Sequence, residues 1–182
     1  MKKIVQLVVS LTIISGVCAA ILAAVNAVTK DQIASIKTRA VLNAARLVMP
    51  ASAKENIALV KAADGEDYFV GKTKDGRAIA YALKGKSDKG YGGDIVLMVG
   101  FMADRTIVTY QKLEAAETPG LGANLTTPEF MKQFQGLSAA KDISVKKDGG
   151  DVEAITSATI TSRAVCGAIN AARARLDAIL AQ

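Results

Sequence analysis

No histidine occurs among the 182 residues of this chain, and there are only two cysteines. The missing imidazole excludes the common zinc sites, histidine-ligated haem and every Ser-His-Asp arrangement. No Cys-x-x-Cys pair exists, and Cys18 lies inside an apolar block, so an intrachain disulfide with Cys166 is not expected. Any redox cofactor must therefore be held by something other than imidazole or paired thiolates. Aromatic residues make up only 4% of the chain. The Lys and Arg are scattered and no nucleic-acid motif is present, so the net charge of +6 does not read as a DNA or RNA surface. It suits water, anionic lipid or an acidic protein partner instead. Internal repeats and low-complexity linkers are also missing.

Charge itself is absent between Lys3 and Lys30. Ile4 to Val28 is an almost unbroken apolar run, with Gln6 and Asn26 its least apolar members. At about 25 residues it exceeds the roughly 20 that a helix needs to cross a bilayer. Lipid offers the backbone no partners, so the run is expected to be helical. Lys2 and Lys3 favour the cytoplasmic side, which places the remainder outside. A cleaved signal peptide is the alternative, with Ala23-Ala24-Val25-Asn26-Ala27 as a cleavage-like stretch. The run is longer than an ordinary signal core, which favours a retained single-pass anchor in the cell inner (plasma) membrane. Val17 stands before Cys18 where a lipoprotein needs a small residue. The expected division is an anchor over 1–30 and one extracytoplasmic domain over 31–182. The latter, at roughly 150 residues, is enough for one core.

Beyond the anchor, apolar positions at three- and four-residue steps predict a helix over Asp31 to Met49 that ends before Pro50. Tyr68 to Thr73 and Arg77 to Leu83 read as strands around the hairpin turn Lys74-Asp75-Gly76. Ile95 to Met102 is nearly all apolar, as a central strand covered on both faces would be. Thr106 to Leu113 is a further strand. Thr127-Pro128-Glu129 is a helix start, with Phe130 and Phe134 on one buried face and Gly136 as its stop. Ile143 to Lys147 reads as a short strand before the turn Asp148-Gly149-Gly150. Arg163 to Leu180 is an amphipathic helix, with Val165, Ala168, Ile169, Ala172, Leu176, Ile179 and Leu180 inward and Arg173, Arg175 and Asp177 outward. The order predicts an α+β domain with a mainly antiparallel sheet and flanking helices.

Two stretches are candidates for chemistry. Glu153 to Ser162 brings five hydroxyls, those of Thr156, Ser157, Thr159, Thr161 and Ser162, to the start of the last helix, where unpaired N–H groups and the positive dipole end favour phosphate. On spacing alone, an over-provided helix cap is the ordinary reading. Glu117-Thr118-Pro119-Gly120-Leu121-Gly122 fixes an unusual backbone path that can bring main chain close to a planar ligand. An ordinary turn is the ordinary reading here too.

Taken together, these stretches resemble the FMN-binding domain family, in the branch formed by the G subunits of Rnf electron-transport complexes. The chain is similar, more distantly, to the C subunits of sodium-translocating NADH:quinone reductases. The resemblance rests on the anchor, on Gly90-Tyr91-Gly92-Gly93, on the Glu117 to Gly122 loop and on Thr156 to Val165. It implies FMN joined by a phosphoester to Thr159, installed outside the cytoplasm by a flavin transferase. Thr156, Ser157 and Ala158 fall in the same motif. Ser157 stands where the family usually has glycine, Glu153 where it has aspartate, and Ala115 where it often has histidine. The resemblance also sets Glu117, Thr118, Gly120, Leu121 and Gly122 against the flavin ring. No catalytic acid or base and no metal is expected. The implied role is an electron-carrier subunit of a ferredoxin- and NAD-linked ion-translocating oxidoreductase, an enzyme only as part of that complex, with its other subunits and membrane lipid as partners. Alternatives are the quinone-reductase C subunit, a cell-surface flavin-dependent reductase, or a cofactor-free structural or assembly subunit.

Overall fold

The computed structural model describes residues 2–62 and 65–181. Met1 and Gln182, the outer ends of the two expected segments, lie outside the described residues, as do residues 63 and 64. The chain divides into two compact units, Met1–Ala40 and Val41–Gln182.

The first unit is helix. Helix α1 runs unbroken over Lys2–Val48, so the helix expected over Asp31 to Met49 continues directly from the apolar run. Ile4, Leu7, Leu11, Ile14 and Leu22 are all exposed. Apolar side chains with no protein to cover them need another apolar medium, and α1 is long and apolar enough to cross a membrane.

The second unit is built on one sheet. Among the described residues five strands, β1 (Ile57–Val60), β2 (Tyr68–Lys72), β3 (Ala78–Gly90), β4 (Gly93–Met102) and β5 (Ile107–Glu114), follow one another in chain order, each antiparallel to the next. Antiparallel neighbours need only short turns, which the chain supplies at Gly76 and Gly93, both with positive φ. Helix α2 (Pro128–Lys132) and helix α3 (Thr159–Leu180) follow the sheet.

Alternation along the strands feeds two cores. On one face Leu83, Ile95, Leu97, Val99, Phe101, Ile107 and Tyr110 pack against Val165, Ala168, Ile169, Ala172 and Leu176 of α3. On the other, Phe69, Ala80, Ala82 and Met98 pack against Ala44, Ala45, Val48 and Met49 at the end of α1. Strand β4 is thus covered on both faces, as its apolar run implied. The small residues of β3 and β4 let the helix end come close: a Cβ built at Gly100 would collide with the Val48 carbonyl.

Several boundaries differ from expectation. Strand β3 continues past Leu83 to Gly90. Its inward positions there are Gly85 and Ser87, which leave no apolar alternation to read. Strand β1 carried no turn signals strong enough to mark it. Helix α2 stops at Lys132, short of Gly136, whose φ of 78° shapes the following turn; Phe130 and Phe134 still meet edge to face at 5.4 Å. Ile143 to Lys147 is not a strand. The Asn170 side chain takes both the N–H and the carbonyl of Ile143 at 2.9 Å, and Val145 makes only an isolated bridge to Val152. Helix α3 begins at Thr159, four residues before Arg163. Its Arg173, Arg175 and Asp177 do not simply face water but pair with Asp142, Glu66 and Arg105.

Candidate functional site

The early start of α3 decides what its hydroxyls do. The cap position is Ala158, at φ −134° and ψ 45°, with no side chain capping it. The first intrahelical bond runs from the Ser162 N–H to the Ala158 carbonyl at 3.0 Å. The N–H groups of Thr159, Ile160 and Thr161 therefore have no acceptor within the helix. The over-provided cap is not what the chain builds. Ser162, fully buried, accepts from the Ile155 N–H and donates to the Ala158 carbonyl, both at 2.9 Å, and so laces the loop to the helix. Thr161, 1% exposed, donates to Glu117 Oε2 at 2.7 Å. The Thr159 hydroxyl, on a half-buried residue, has no hydrogen-bond partner among the described residues, and neither do those of Thr156 and Ser157, on exposed ones. Ser157 itself stands in the left-handed region at φ 60°, the conformation that glycine adopts without strain.

Facing this helix start is the 117–122 loop. The Thr118 carbonyl accepts from the N–H groups of Leu121 at 3.2 Å and Ala123 at 3.1 Å, with Gly120 at φ 76°. The buried Tyr110 hydroxyl donates to the Leu125 carbonyl and so pins the chain just beyond the loop; burial pushes its ionisation well above the ordinary range. The third element is the turn between β3 and β4. Its Gly92 N–H donates to Glu117 Oε1 at 3.2 Å.

These three elements enclose a cleft of about 490 Å³, within the range of small-molecule sites. The structure gathers Glu117, Thr118, Leu121 and Gly122 on one side and Ser157, Ala158 and Thr159 on the other. It does not bring Gly120 or Thr156 to this cleft; they line an adjacent groove of about 470 Å³ with Glu129, Gln133 and Glu153. Three lining residues, Tyr91, Ile160 and Thr161, were not among the expected site residues, although they lie in stretches that carry the resemblance. Tyr91 is 71% exposed, Ile160 50% and Leu121 42%, so three large apolar side chains surround one opening. The flanking glycines of Tyr91 were the only sequence signal for it.

Charge near the helix start is arranged in pairs. Arg163 donates to Asp148 through Nε at 2.7 Å and Nη2 at 2.6 Å, a two-point contact that holds the Asp148 carboxyl below its usual range. Lys146 and Glu153 pair at 2.6 Å, and Lys146 likewise holds the Glu153 carboxyl low. Cys166 lies behind the cleft in the core, where burial pushes its thiol up to about 12, so it is not a nucleophile at neutral pH. Among the described residues no cluster of His, Cys, Asp and Glu could hold a metal ion. What the cleft offers is a helix N-terminus for an anion, a free hydroxyl beside it, and an apolar rim for a flat ring.

The profile of a family described as FMN-binding domain matches residues 90–174, a span holding all three walls of the cleft. The G subunit of an ion-translocating oxidoreductase complex from Methanosarcina acetivorans is 34% identical over 94% of this chain and 93% of its own. The G subunit of a Na(+)-translocating ferredoxin:NAD(+) oxidoreductase complex from Acetobacterium woodii is 29% identical over 93% of this chain and 89% of its own. Among solved structures, NqrC of Shewanella oneidensis shares the fold, with a TM-score of 0.50 and 22% identity over 70% of this chain and 72% of that one.

Proposed function

We propose, since the chain belongs to the family of G subunits of ion-translocating oxidoreductase complexes, that it carries electrons within such a complex through an FMN bound covalently to Thr159. The observation that carries this reading is the Thr159 hydroxyl, without a hydrogen-bond partner among the described residues, beside three N–H groups that lack helical acceptors. A phosphate esterified there would keep one negative charge, and the helix end would stabilise it. A phosphoester asks nothing of the protein but a hydroxyl, so a chain without histidine can build it.

The residues of the cleft fit the group. Leu121, Tyr91 and Ile160 supply an apolar rim for the ring system, and Gly122 lets the loop close against Glu117 and Thr161, where a Cβ would collide. Flavin brings the electron chemistry when bound, and the chain's own task is to place it and to keep competing reactions out. Ser157 and Ala158 set the entry angle of the helix. In this reading Thr118 and N–H groups of the 117–122 loop contact the ring, with Gly120 and Thr156 shaping the backbone behind. No side chain is asked to move a proton, because transfer between fixed cofactors needs none.

The rest of the reading follows from α1. Residues 1–30 anchor the chain in the lipid as a single pass with a cytoplasmic N-terminus, and the FMN-binding domain over 31–182 stands outside. Maturation there requires a flavin transferase, and electrons pass to and from other subunits of the complex.

The test uses the full chain from its native host. The denatured protein is run on a gel and viewed under ultraviolet light. Flavin fluorescence is expected in the native band, is lost in Thr159→Val and persists in Thr156→Val. A dark native band, or a fluorescent Thr159→Val band, overturns the assignment.

A further inference from the structure

Glu117 lies in the wall of the cleft, but its carboxylate is turned to protein groups rather than left for a ligand. Oε1 accepts from the Gly92 N–H at 3.2 Å and Oε2 accepts from the Thr161 hydroxyl at 2.7 Å. The first partner is on the turn between β3 and β4, the second in the first turn of α3. One side chain of the 117–122 loop therefore joins the β3–β4 turn to the start of α3.

The surroundings are cleared for this carboxylate. A Cβ at Gly122 would collide with Oε2 and would lie 2.6 Å from Thr161 Oγ1. A Cβ at Gly90 would strike the Gly93 carbonyl and would also lie 2.9 Å from Oε1. One at Gly92 would run into the carbonyl of Ala116, the residue before Glu117. Three positions without side chains thus surround one acid. Turns cut from glycine are loose by themselves, because glycine has the most backbone freedom to lose. The ladder pair of Gly90 and Gly93 closes this turn on itself, and the bond from the Gly92 N–H to Glu117 ties it, and with it Tyr91, to the rest of the cleft. The buried Thr161 hydroxyl has Glu117 as its acceptor, which fixes the other end of the link.

We infer that Glu117 is a positioning residue: it clasps the Tyr91 turn to the start of α3 and so holds the cleft closed around the flavin ring. It acts through geometry and not through charge. Glutamine retains an oxygen for the Gly92 N–H and an amide hydrogen for the Thr161 oxygen, so it preserves the link, whereas alanine removes it. The inference deepens the covalent-flavin reading and rests on it for what the clasp does, but the clasp itself exists without flavin.

The experiment uses the full chain in detergent, in native, Glu117→Ala and Glu117→Gln forms. Intact mass first reports whether FMN is attached, which tests the earlier reading alone. Hydrogen exchange of the amides in 90–93 and 159–162, measured in the flavin-free Thr159→Val background, tests the clasp. Time-resolved polarised fluorescence of the bound flavin tests its consequence. Glu117→Ala is expected to exchange at least tenfold faster at the Gly92 amide and to show a fast local depolarisation of the ring. Glu117→Gln is expected to match the native chain in both. Native exchange and native anisotropy in Glu117→Ala overturn the clasp. Equal effects of Gln and Ala overturn it too, since charge would then be the cause.

Discussion

Gly85 of β3 runs so close beneath Ala168 of α3 that a Cβ added at position 85 would strike the Ala168 carbonyl and lie 2.9 Å from the Ala172 side chain. Helix α3 can therefore sink onto the sheet at this point, and its N-terminus is carried to the cleft by that seating. Gly85→Ala forces helix and strand apart in a packed core, which costs about 1–3 kcal/mol. The midpoint of urea unfolding is expected to fall by that free energy divided by the slope, with the slope itself unchanged. An unchanged midpoint would show that the helix can shift without loss.

Ser157 adopts φ 60° immediately before the cap of the same helix. It is also the position where the family resemblance expects glycine, and the backbone shows why. A side chain in the left-handed region costs about 1–2 kcal/mol, part of which glycine gives back through its freer unfolded state. Ser157→Gly is expected to raise stability by up to about 1 kcal/mol and to leave attached flavin undiminished. Thermal unfolding followed by circular dichroism measures the first and intact mass the second. A lower melting temperature would mean that the Ser157 side chain contributes something beyond its torsion angle.

What the sequence revealed of this fold was whatever has a repeating apolar signal. The membrane-type run, the apolar β4 and the inward stripe of α3 all fall where periodicity placed them. The misses share one cause. Strand β3 beyond Leu83 buries Gly85 and Ser87, and the 143–147 segment uses the Asn170 side chain in place of a strand partner. Neither leaves a hydrophobic pattern. At the cleft, the motif residues from Ser157 to Thr159 and four of the five loop candidates, Glu117, Thr118, Leu121 and Gly122, line one opening. Tyr91 and Ile160 join them only through tertiary contacts. The link from Glu117 to Thr161 spans 44 residues, and no local rule connects two such positions.

The paired charges at the helix start predict how the domain meets acid. Asp148 is held below its ordinary value of 3.8, first by its hydrogen bond from Arg163, and Glu153 below 4.5, first by its hydrogen bond from Lys146. A carboxyl with a lower folded value binds its proton more readily when unfolded. Its contribution is fully present above the unfolded value and is lost as pH falls through the folded one, so the window opens near pH 4 and extends below. Both pairs are exposed, which keeps the effect small and salt-sensitive. Asp148→Asn is expected to lower stability slightly at pH 7 and to flatten its loss below pH 4, so that the mutant and native curves converge in acid. Equilibrium unfolding across pH 2–7 reads this out. A mutant curve parallel to the native one throughout would remove Arg163 and Asp148 from the account.

The proposed boundary between anchor and domain can be tested by where the chain is cut. Ala44, Ala45, Val48 and Met49 are buried beneath the sheet, so the end of α1 belongs to the core of the second unit even though the helix begins at Lys2. Burying Val48 and Met49 is worth about 1.5–3 kcal/mol each. Set against a typical domain stability of about 5–15 kcal/mol, losing both removes roughly a fifth or more of what holds the fold. Exposed Phe69 and Met98 would then favour association. A fragment over 31–182 is expected to be monomeric by gel filtration and to unfold in one cooperative step. A fragment over 50–182 is expected to aggregate, or to unfold at a much lower urea concentration. Equal stability of the two fragments would mean that the apolar surface under α1 is dispensable, and the domain would then have to start after Pro50 rather than within the helix.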